Sequence, residues 1–390
     1  MENELLAWRD QFPILSKTTY LISNSLGAMP GAVYDALHGY ADDWATHGVK
    51  AWETAGWWPM PIAVGDQIAP LIGAPPGSVS THLNVTLASA IVASCFDFEP
   101  PRNKVVCSSL HFPSIIYLYR QQQRRGAKLH LVPSDDGIRV PLEAMLEAID
   151  ETTLLVPISH VIFKSAFVQD VVAIVRRAHE VGALVALDVY QSAGVMPVEL
   201  EAWEVDFAVG GVLKWLCGGP GLAYLYVRPD LAERLEPAIT GWISHASPFS
   251  FDPGPIERRS EGWRFLNGTP SIPALYAARP GLDILRRVGV EAIRANSIRQ
   301  TERLIAAADE HGWQVNTPRP PEQRGGTVTL QVPDAEQVTQ ALLARDILVD
   351  YRPGAGIRLS PHFYNSDEEI DHAVATIASL VGATRTLQPS

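Results

Sequence analysis

Between residues 104 and 227 short apolar runs alternate with stretches of helical periodicity, and this alternation constrains the fold more than any other feature of the chain. The runs at 104–107, 129–132, 153–158, 184–187 and 222–227 are brief and mostly apolar, as suits strands buried on both faces. Between two of them, Val171, Ile174, Val175, Ala178 and Val181 recur at helical spacing, with Arg176, Arg177 and Glu180 on the remaining positions. That order predicts an α/β fold with a mostly parallel sheet flanked by helices. In such sheets the chemistry lies in the crevice beyond the carboxyl ends of the strands.

The last third has a different pattern. Residues 275–310 read as one long helical stretch, and Pro318, Pro320 and Pro321 then mark a break before Gly325-Gly326. A strand (327–332), a helix (336–345), two short strands (347–351, 357–359) and a closing helix (367–380) follow, which predicts a small α+β C-terminal domain. Hydrophobic residues make up 47% of the 390 and charged residues 19%, a globular balance that excludes a disordered or collagen-like chain. The net charge of −12 argues against nucleic acid as a partner and weakly against an anionic membrane surface. No apolar run is long enough to span a bilayer, and the first fifteen residues lack a basic start followed by an apolar stretch, so a soluble cytoplasmic protein is expected. Three cysteines, Cys95, Cys107 and Cys217, are too few and too scattered for a disulfide framework or a zinc site, and no metal is expected.

Two residues carry the chemistry. Asp188 follows the run at 184–187, where a buried strand delivers a side chain to the crevice. Lys214 lies among apolar residues and glycines, ahead of Cys217-Gly-Gly-Pro-Gly221. Apolar surroundings disfavour the charged form of an amine, which suits a lysine to Schiff-base chemistry. Taken singly, an Asp after a strand is often a helix cap and a lysine commonly snorkels at the surface. Together on an α/β scaffold they suit pyridoxal 5′-phosphate (PLP), which needs a lysine for its aldehyde and an acid for its ring nitrogen.

A series of ordered segments then resembles the class V aminotransferase family of fold type I PLP enzymes, in its kynureninase-like branch. Asn24-Ser-Leu-Gly27 with Pro30, Trp44-x-x-His47-Gly48 with Ala51-Trp52, and His111-Phe-Pro-Ser114 are similar to family segments. So are Asp188-Val-Tyr-Gln-Ser-Ala-Gly194, the block from Val205 through Lys214 to Gly221, Gly241-Trp242-x-x-His245, and Arg264-Phe-x-x-Gly-Thr-Pro270. The resemblance implies an N-terminal arm (1–30) packing with the small domain, a large PLP-binding domain (31–275) and a small C-terminal domain (276–390). It implies that Lys214 holds PLP and moves protons at the substrate Cα, and that Asp188 pairs with the pyridine nitrogen. Gln191 would donate to the phenolic oxygen, and Phe112 would stack on the ring, with His111 as a second stacking candidate. Asn84 and Val85 would bind the phosphate at a helix start. Trp242 and Thr269 would reach the phosphate from the neighbouring subunit of a homodimer. Arg358 would grip the substrate α-carboxylate, with Asn24 and Trp52 as further substrate-binding candidates.

The sequence also departs from kynureninases. Where they resemble one another in a Ser-Tyr pair before the lysine, this chain has Val212-Leu213; Ile115 replaces an acidic residue, and Ile162-Phe163-Lys164 replaces an Asn-Tyr-Arg run. The expectation is a PLP enzyme acting on a small-molecule L-amino acid through a Cα carbanion. It would cleave a bond at Cβ, either by C–S elimination or by kynureninase-like Cβ–Cγ hydrolysis. Elimination suits the departures better, because it does not need the missing tyrosine. Alternatives are a class V aminotransferase, an oxidative deaminase or epimerase, or a non-catalytic PLP-fold binding module. A persulfide-forming desulfurase ranks lower: Cys217 is too close to Lys214 to swing freely, and Cys95 and Cys107 sit in apolar runs.

Overall fold

The computed structural model describes residues 2–386. Its strands in chain order are β1 (Thr19–Tyr20), β2 (Val79–His82), β3 (Lys104–Ser108), β4 (Lys128–Val132), β5 (Thr153–Ser159), β6 (Leu184–Asp188), β7 (Phe207–Gly211), β8 (Ala223–Val227), β9 (Gln314–Val315), β10 (Val328–Gln331), β11 (Ile347–Leu348), β12 (Asp350–Arg352) and β13 (Gly356–Leu359). Seven of them form one sheet in the order β2-β8-β7-β6-β5-β3-β4. The pairs from β4 across to β7 are parallel, and β8 runs antiparallel to both β7 and β2. The protein is therefore an α/β molecule with a mostly parallel sheet between helices. The middle strands are buried along nearly their whole length, whereas β4 at the edge carries the exposed Lys128 and His130, which blunt it against further pairing. Val132, on the same face further along, is buried.

The crossover helix Val171–Glu180 shows why the pattern folds as it does. The Asp170 carboxylate accepts the Ala173 N–H at 2.9 Å and caps the start. The stripe Val171, Ile174, Val175 and Ala178 is buried against the sheet. Five strands lie where the apolar runs place them, but β2 and β7 escape that reading. The segment β2 is Val-Ser-Thr-His, buried although three of its four residues are polar, and β7 ends in Gly210-Gly211. The expected helix at 275–310 is two helices, Ile272–Val288 and Val290–Glu310, divided at Gly289, whose φ of 85° is easy only for glycine. The first of these runs through position 275.

A second, antiparallel sheet has the order β12-β13-β10-β9. Its core joins Val328, Leu330, Ile357 and Leu359 to Leu304, Leu342, Ile370 and Ile377. Leu21 from the N-terminal segment packs in the same core, and beside it β1 pairs in parallel with β11. Arg9 adds bonds to the Tyr364 carbonyl at 2.9 Å and to Glu369 at 2.7 Å. No helix among the described residues is long and apolar enough to cross a membrane.

Candidate active site

Beyond the carboxyl ends of the large sheet lies a cavity of about 350 Å³. Five of the seven strand ends contribute to its wall. Asp188 closes β6 and Ser159 closes β5, Asn84 follows β2, Phe112 follows β3, and Lys214 follows β7. The small domain supplies Arg352 and Arg358, and the N-terminal segment supplies Asn24 and Ser25. The place is the one expected for a doubly wound sheet.

Lys214 is half-buried, and desolvation pushes its ammonium down to about 8. The Asp188 carboxylate opposes that fall, while the Arg358 and Arg352 guanidiniums add to it. The Lys214 Nζ lies 4.3 Å from the centre of the Tyr190 ring and 5.9 Å from that of Phe112. Burial raises the Asp188 carboxyl to about 6, against the pull of the Tyr190 N–H, which donates to Oδ1 at 2.9 Å, and of Lys214. The lysine turn is strapped from outside. Gly27 donates its N–H to the Leu213 carbonyl at 2.8 Å. A Cβ on Gly27 would lie 2.1 Å from the Lys214 carbonyl oxygen, so only glycine permits this approach.

Gln191 is oriented without ambiguity. Its Oε1 accepts the Trp215 indole N–H at 3.1 Å, and its Nε2 donates to the Asn24 carbonyl at 3.0 Å. An indole nitrogen only donates and a carbonyl only accepts, so the amide has one possible setting and one N–H left over. Asn24 itself is 1% exposed, and neither its Oδ1 nor its Nδ2 has a protein partner. Buried amides are rarely left so, and one beside a cavity points to a ligand.

Asn84 caps the helix Val85–Ser94, its Oδ1 accepting the Leu87 N–H at 2.9 Å. The N–H groups of Val85 and Thr86, both on the cavity wall, have no intrahelical carbonyl to reach, and the helix dipole adds positive potential there. A second helix, Pro113–Gln122, begins beside the same space, with Ser114 and Ile115 on the wall. Phe112 lines the cavity and meets Phe163 edge-on at 5.3 Å. His111 turns inward instead. Its Nδ1 accepts the Phe112 N–H at 2.7 Å and lies 3.2 Å from the Ser159 hydroxyl, and burial holds it neutral with its titration lowered to about 3.

The remaining expected residues are placed differently. Arg358 lines the cavity, but its fork is bound to Asp350 and to the Phe163 carbonyl. Trp52 is not brought to the cavity: it packs edge-on against Trp57 and Trp58 at 5.7 and 6.4 Å. Trp242 and Thr269 are also absent from this chain's cavity. Trp242 belongs to an exposed aromatic cluster with Trp58, Phe249 and Phe251, and Thr269 lies in a separate cleft beside His82 and Leu222. The wall residues without a role in the sequence reading include Tyr190, Phe163 and Arg352. The signal for Arg352 was its position two residues after Asp350 on a strand, which gives the two a common face.

The family model for aminotransferase class-V matches residues 19–372. A kynureninase of Burkholderia pseudomallei (strain 1106a) is 30% identical over 395 residues, covering 97% of this chain and 93% of its own length. A kynureninase of Pseudomonas fluorescens matches to the same extent. Among solved structures, the apo cysteine desulfurase of Thermococcus onnurineus NA1 superposes with a TM-score of 0.85 at 21% identity, covering 97% of this chain and 98% of its own. A cystine C-S lyase in complex with its product cysteine persulfide gives 0.84 at 20% identity, covering 94% and 99%. The fold and a lysine–carboxylate pair at the strand ends define a fold type I PLP enzyme. The chain belongs to the class V aminotransferase family, and PLP is its cofactor.

The residues present fit that cofactor. The Val85 and Thr86 N–H groups with the Asn84 cap would hold the phosphate. Lys214 would hold the aldehyde carbon, Asp188 the ring nitrogen and the spare Gln191 N–H the phenolic oxygen. The unpartnered Asn24 amide faces a ligand-sized cavity with nothing of the protein to satisfy it.

Proposed function

We propose that this enzyme cleaves a bond at Cβ of a small L-amino acid, by C–S β-elimination in preference to Cβ–Cγ hydrolysis. The observation that carries the choice is Leu213, which lines the cavity next to Lys214. Hydrolysis of a Cβ–Cγ bond calls for a proton donor near the substrate carbonyl, and a leucine side chain has none. Elimination needs a base at Cα and a departing sulfur. Bound PLP supplies the electron sink that stabilises a Cα carbanion. Lys214, lowered to about 8, is partly neutral at physiological pH and can take the Cα proton at Nζ. Asp188 would pair with the ring nitrogen of the cofactor and favour its protonated form. Phe112, Phe163, Val161 and Ile115 add apolar surface to the cavity wall. The relatives support cleavage at Cβ without choosing between the two, since one set is named kynureninase and a structural neighbour is named a cystine C-S lyase.

Persulfide-forming desulfuration is less favoured. Cys217 and Cys107 are buried, and burial pushes the thiols of Cys95 and Cys217 up to about 12, so none is a ready thiolate nucleophile. Three free thiols suit a reducing compartment, in support of a cytoplasmic location. A homodimer with shared sites is part of the proposal, supported by the exposed aromatic cluster around Trp242. So is the division into an arm (1–30), a large domain (31–275) and a small domain (276–390), supported by the pairing of β1 with β11.

The test is incubation of the PLP-loaded protein with kynurenine, cysteine S-conjugates and common amino acids, with and without a keto-acid acceptor. Pyruvate and free thiol without acceptor are the expected products. Anthranilate would mark a kynureninase, amino-group transfer an aminotransferase, and a protein without an aldimine band that shows no change on adding PLP a binding module.

A further inference from the structure

The charges around Lys214 leave its ammonium without a carboxylate of its own. Asp188 and Asp350 attract it, while Arg358 and Arg352 repel it. Asp350 is already engaged: the Arg358 Nε donates to its Oδ1 at 2.7 Å, and the Arg352 Nη2 lies 3.0 Å from its Oδ2. Asp188 accepts the Tyr190 N–H and would be committed to the ring nitrogen of the cofactor. His111 is turned to the Phe112 N–H and the Ser159 hydroxyl, and burial keeps it neutral. What stands against the amine is an aromatic face. The Lys214 Nζ lies over the Tyr190 ring, 4.3 Å from its centre, closer than the 5.9 Å to Phe112. A cation at such a distance is attracted by the negative face of the ring, and more strongly out of water.

The neighbours of Tyr190 put its ring there. Its backbone is tied to Asp188 Oδ1 at 2.9 Å. Its hydroxyl end passes over Gly211, where an added Cβ would lie 2.2 Å from the phenolic oxygen. The absent side chain at the end of β7 makes room for the ring, three residues ahead of the lysine it faces. Burial and the Asp188 charge raise the phenol, so the ring stays neutral over the range in which the lysine titrates. Lys214 must exist in two forms, since a neutral amine that takes a proton becomes an ammonium. Burial favours the first form, and the ring face favours the second.

We propose that Tyr190 is a positioning residue whose ring face receives the Lys214 ammonium formed when Nζ takes the Cα proton, and holds the nitrogen while it carries that proton. The proposal rests on Lys214 as the proton carrier of the reaction proposed above, not on which Cβ bond breaks. Tyr190 touches neither proton donor nor acceptor in this role. It acts through the charge state of the lysine.

The test replaces the ring without changing its shape. Tyr190→Phe keeps the aromatic face, and phenylalanines with increasing ring fluorination installed at position 190 drain that face of electron density. In cofactor-free protein, trace acetic anhydride labels only the neutral amine, so the rate of Lys214 acetylation against pH, read by peptide mass spectrometry, gives the midpoint of the lysine. Tyr190→Phe should keep the wild-type midpoint. The fluorinated series should lower it stepwise, by about half a unit to one and a half units in all, the range of a cation on an aromatic face. In the PLP-loaded enzyme the limb of the pH–rate profile set by Lys214 should move the same way. A midpoint that stays constant or rises across the series overturns the proposal. So does a rate limb that stays fixed while the midpoint moves, because the ring would then touch the lysine without serving it. Neither result removes the PLP enzyme or its reaction. Failure to turn over any amino acid would instead remove the reaction, while the acetylation series still decides whether the ring holds the ammonium.

Discussion

At the scale of single residues the site is an electrostatic compromise. Burial raises Asp188 to about 6 and lowers Lys214 to about 8. The folded value for Asp188 lies above that of an unfolded aspartate, about 3.9. Its contribution to stability is thus fully present below about pH 4 and is lost as pH rises through about 6, a loss of order 3 kcal/mol. Asp188→Asn removes the titration. In cofactor-free protein the Tm of the wild type should fall between pH 5 and 7 relative to that of the variant, and a constant gap would contradict the buried carboxylate. For Lys214 the sign is reversed: the folded value is depressed, so stability is present above about 10.5 and is lost as pH falls through about 8. Lys214→Ala should therefore melt no lower than the wild type at pH 7 without cofactor, yet lose the visible absorbance of bound PLP and all turnover. Full turnover in that variant would end the proposed mechanism. Asp188 and Lys214 were legible in the sequence because each sits in a local pattern, a strand end and an apolar glycine-rich turn. The engagement of Arg358 was not, since its partners Asp350 and Phe163 are brought to it by the register of β12 on β13 and by a loop 195 positions away in the chain.

At the scale of elements, what the alternation of apolar runs made legible was the set of strands buried by aliphatic side chains. The strand β7 was hidden because Gly210 and Gly211 have low strand propensity. They are there for space: an added Cβ would lie 2.3 Å from the Tyr224 hydroxyl and 2.2 Å from that of Tyr190. Strand β2 was hidden by its polar residues, which find partners inside. Ser80 Oγ bonds to His82 Nε2 at 2.9 Å, and Thr81 Oγ1 donates to the Pro61 carbonyl at 2.9 Å. That strand matters to function because it ends two residues before Asn84. Replacing Asn84 with Ala removes the cap of the helix Val85–Ser94 and should cost about 1 kcal/mol of stability. Because the same turn is the proposed phosphate cradle, PLP should also bind more weakly. Asn84→Ser keeps a capping oxygen and should restore most of both. Thermal melts paired with PLP titrations check the coupling, and a stability loss in N84A with unchanged PLP affinity would separate the cap from the cradle.

For the whole molecule, the decisive feature is the aromatic surface at Trp242. Phe249 and Phe251 are 63% and 74% exposed and join Trp242 and Trp58 in one cluster. Several large exposed aromatics in contact mark an association surface, because isolated apolar residues are normal on a monomer but contiguous ones are costly in water. In a twofold dimer the same patch meets its own copy. The placement of Trp242 and Thr269 outside this chain's own cavity, although both are expected at the cofactor phosphate, fits sites completed across that axis. Subunit mixing tests it directly. A Lys214→Ala chain lacks the lysine but keeps Trp242 and Thr269. A Trp242→Ala/Thr269→Ala chain lacks the donated residues but keeps the lysine. Each homodimer should be nearly inactive. Unfolded together in equal amounts and refolded, half of the dimers are mixed and each mixed dimer rebuilds one intact site, so activity should return to about a quarter of the wild-type level. Activity that stays at the sum of the parents would place all catalytic groups within one chain. The double variant Phe249→Asp/Phe251→Asp should give a monomer by light scattering and lose activity with it, because the lysine is then present but the partner's half of the phosphate site is gone.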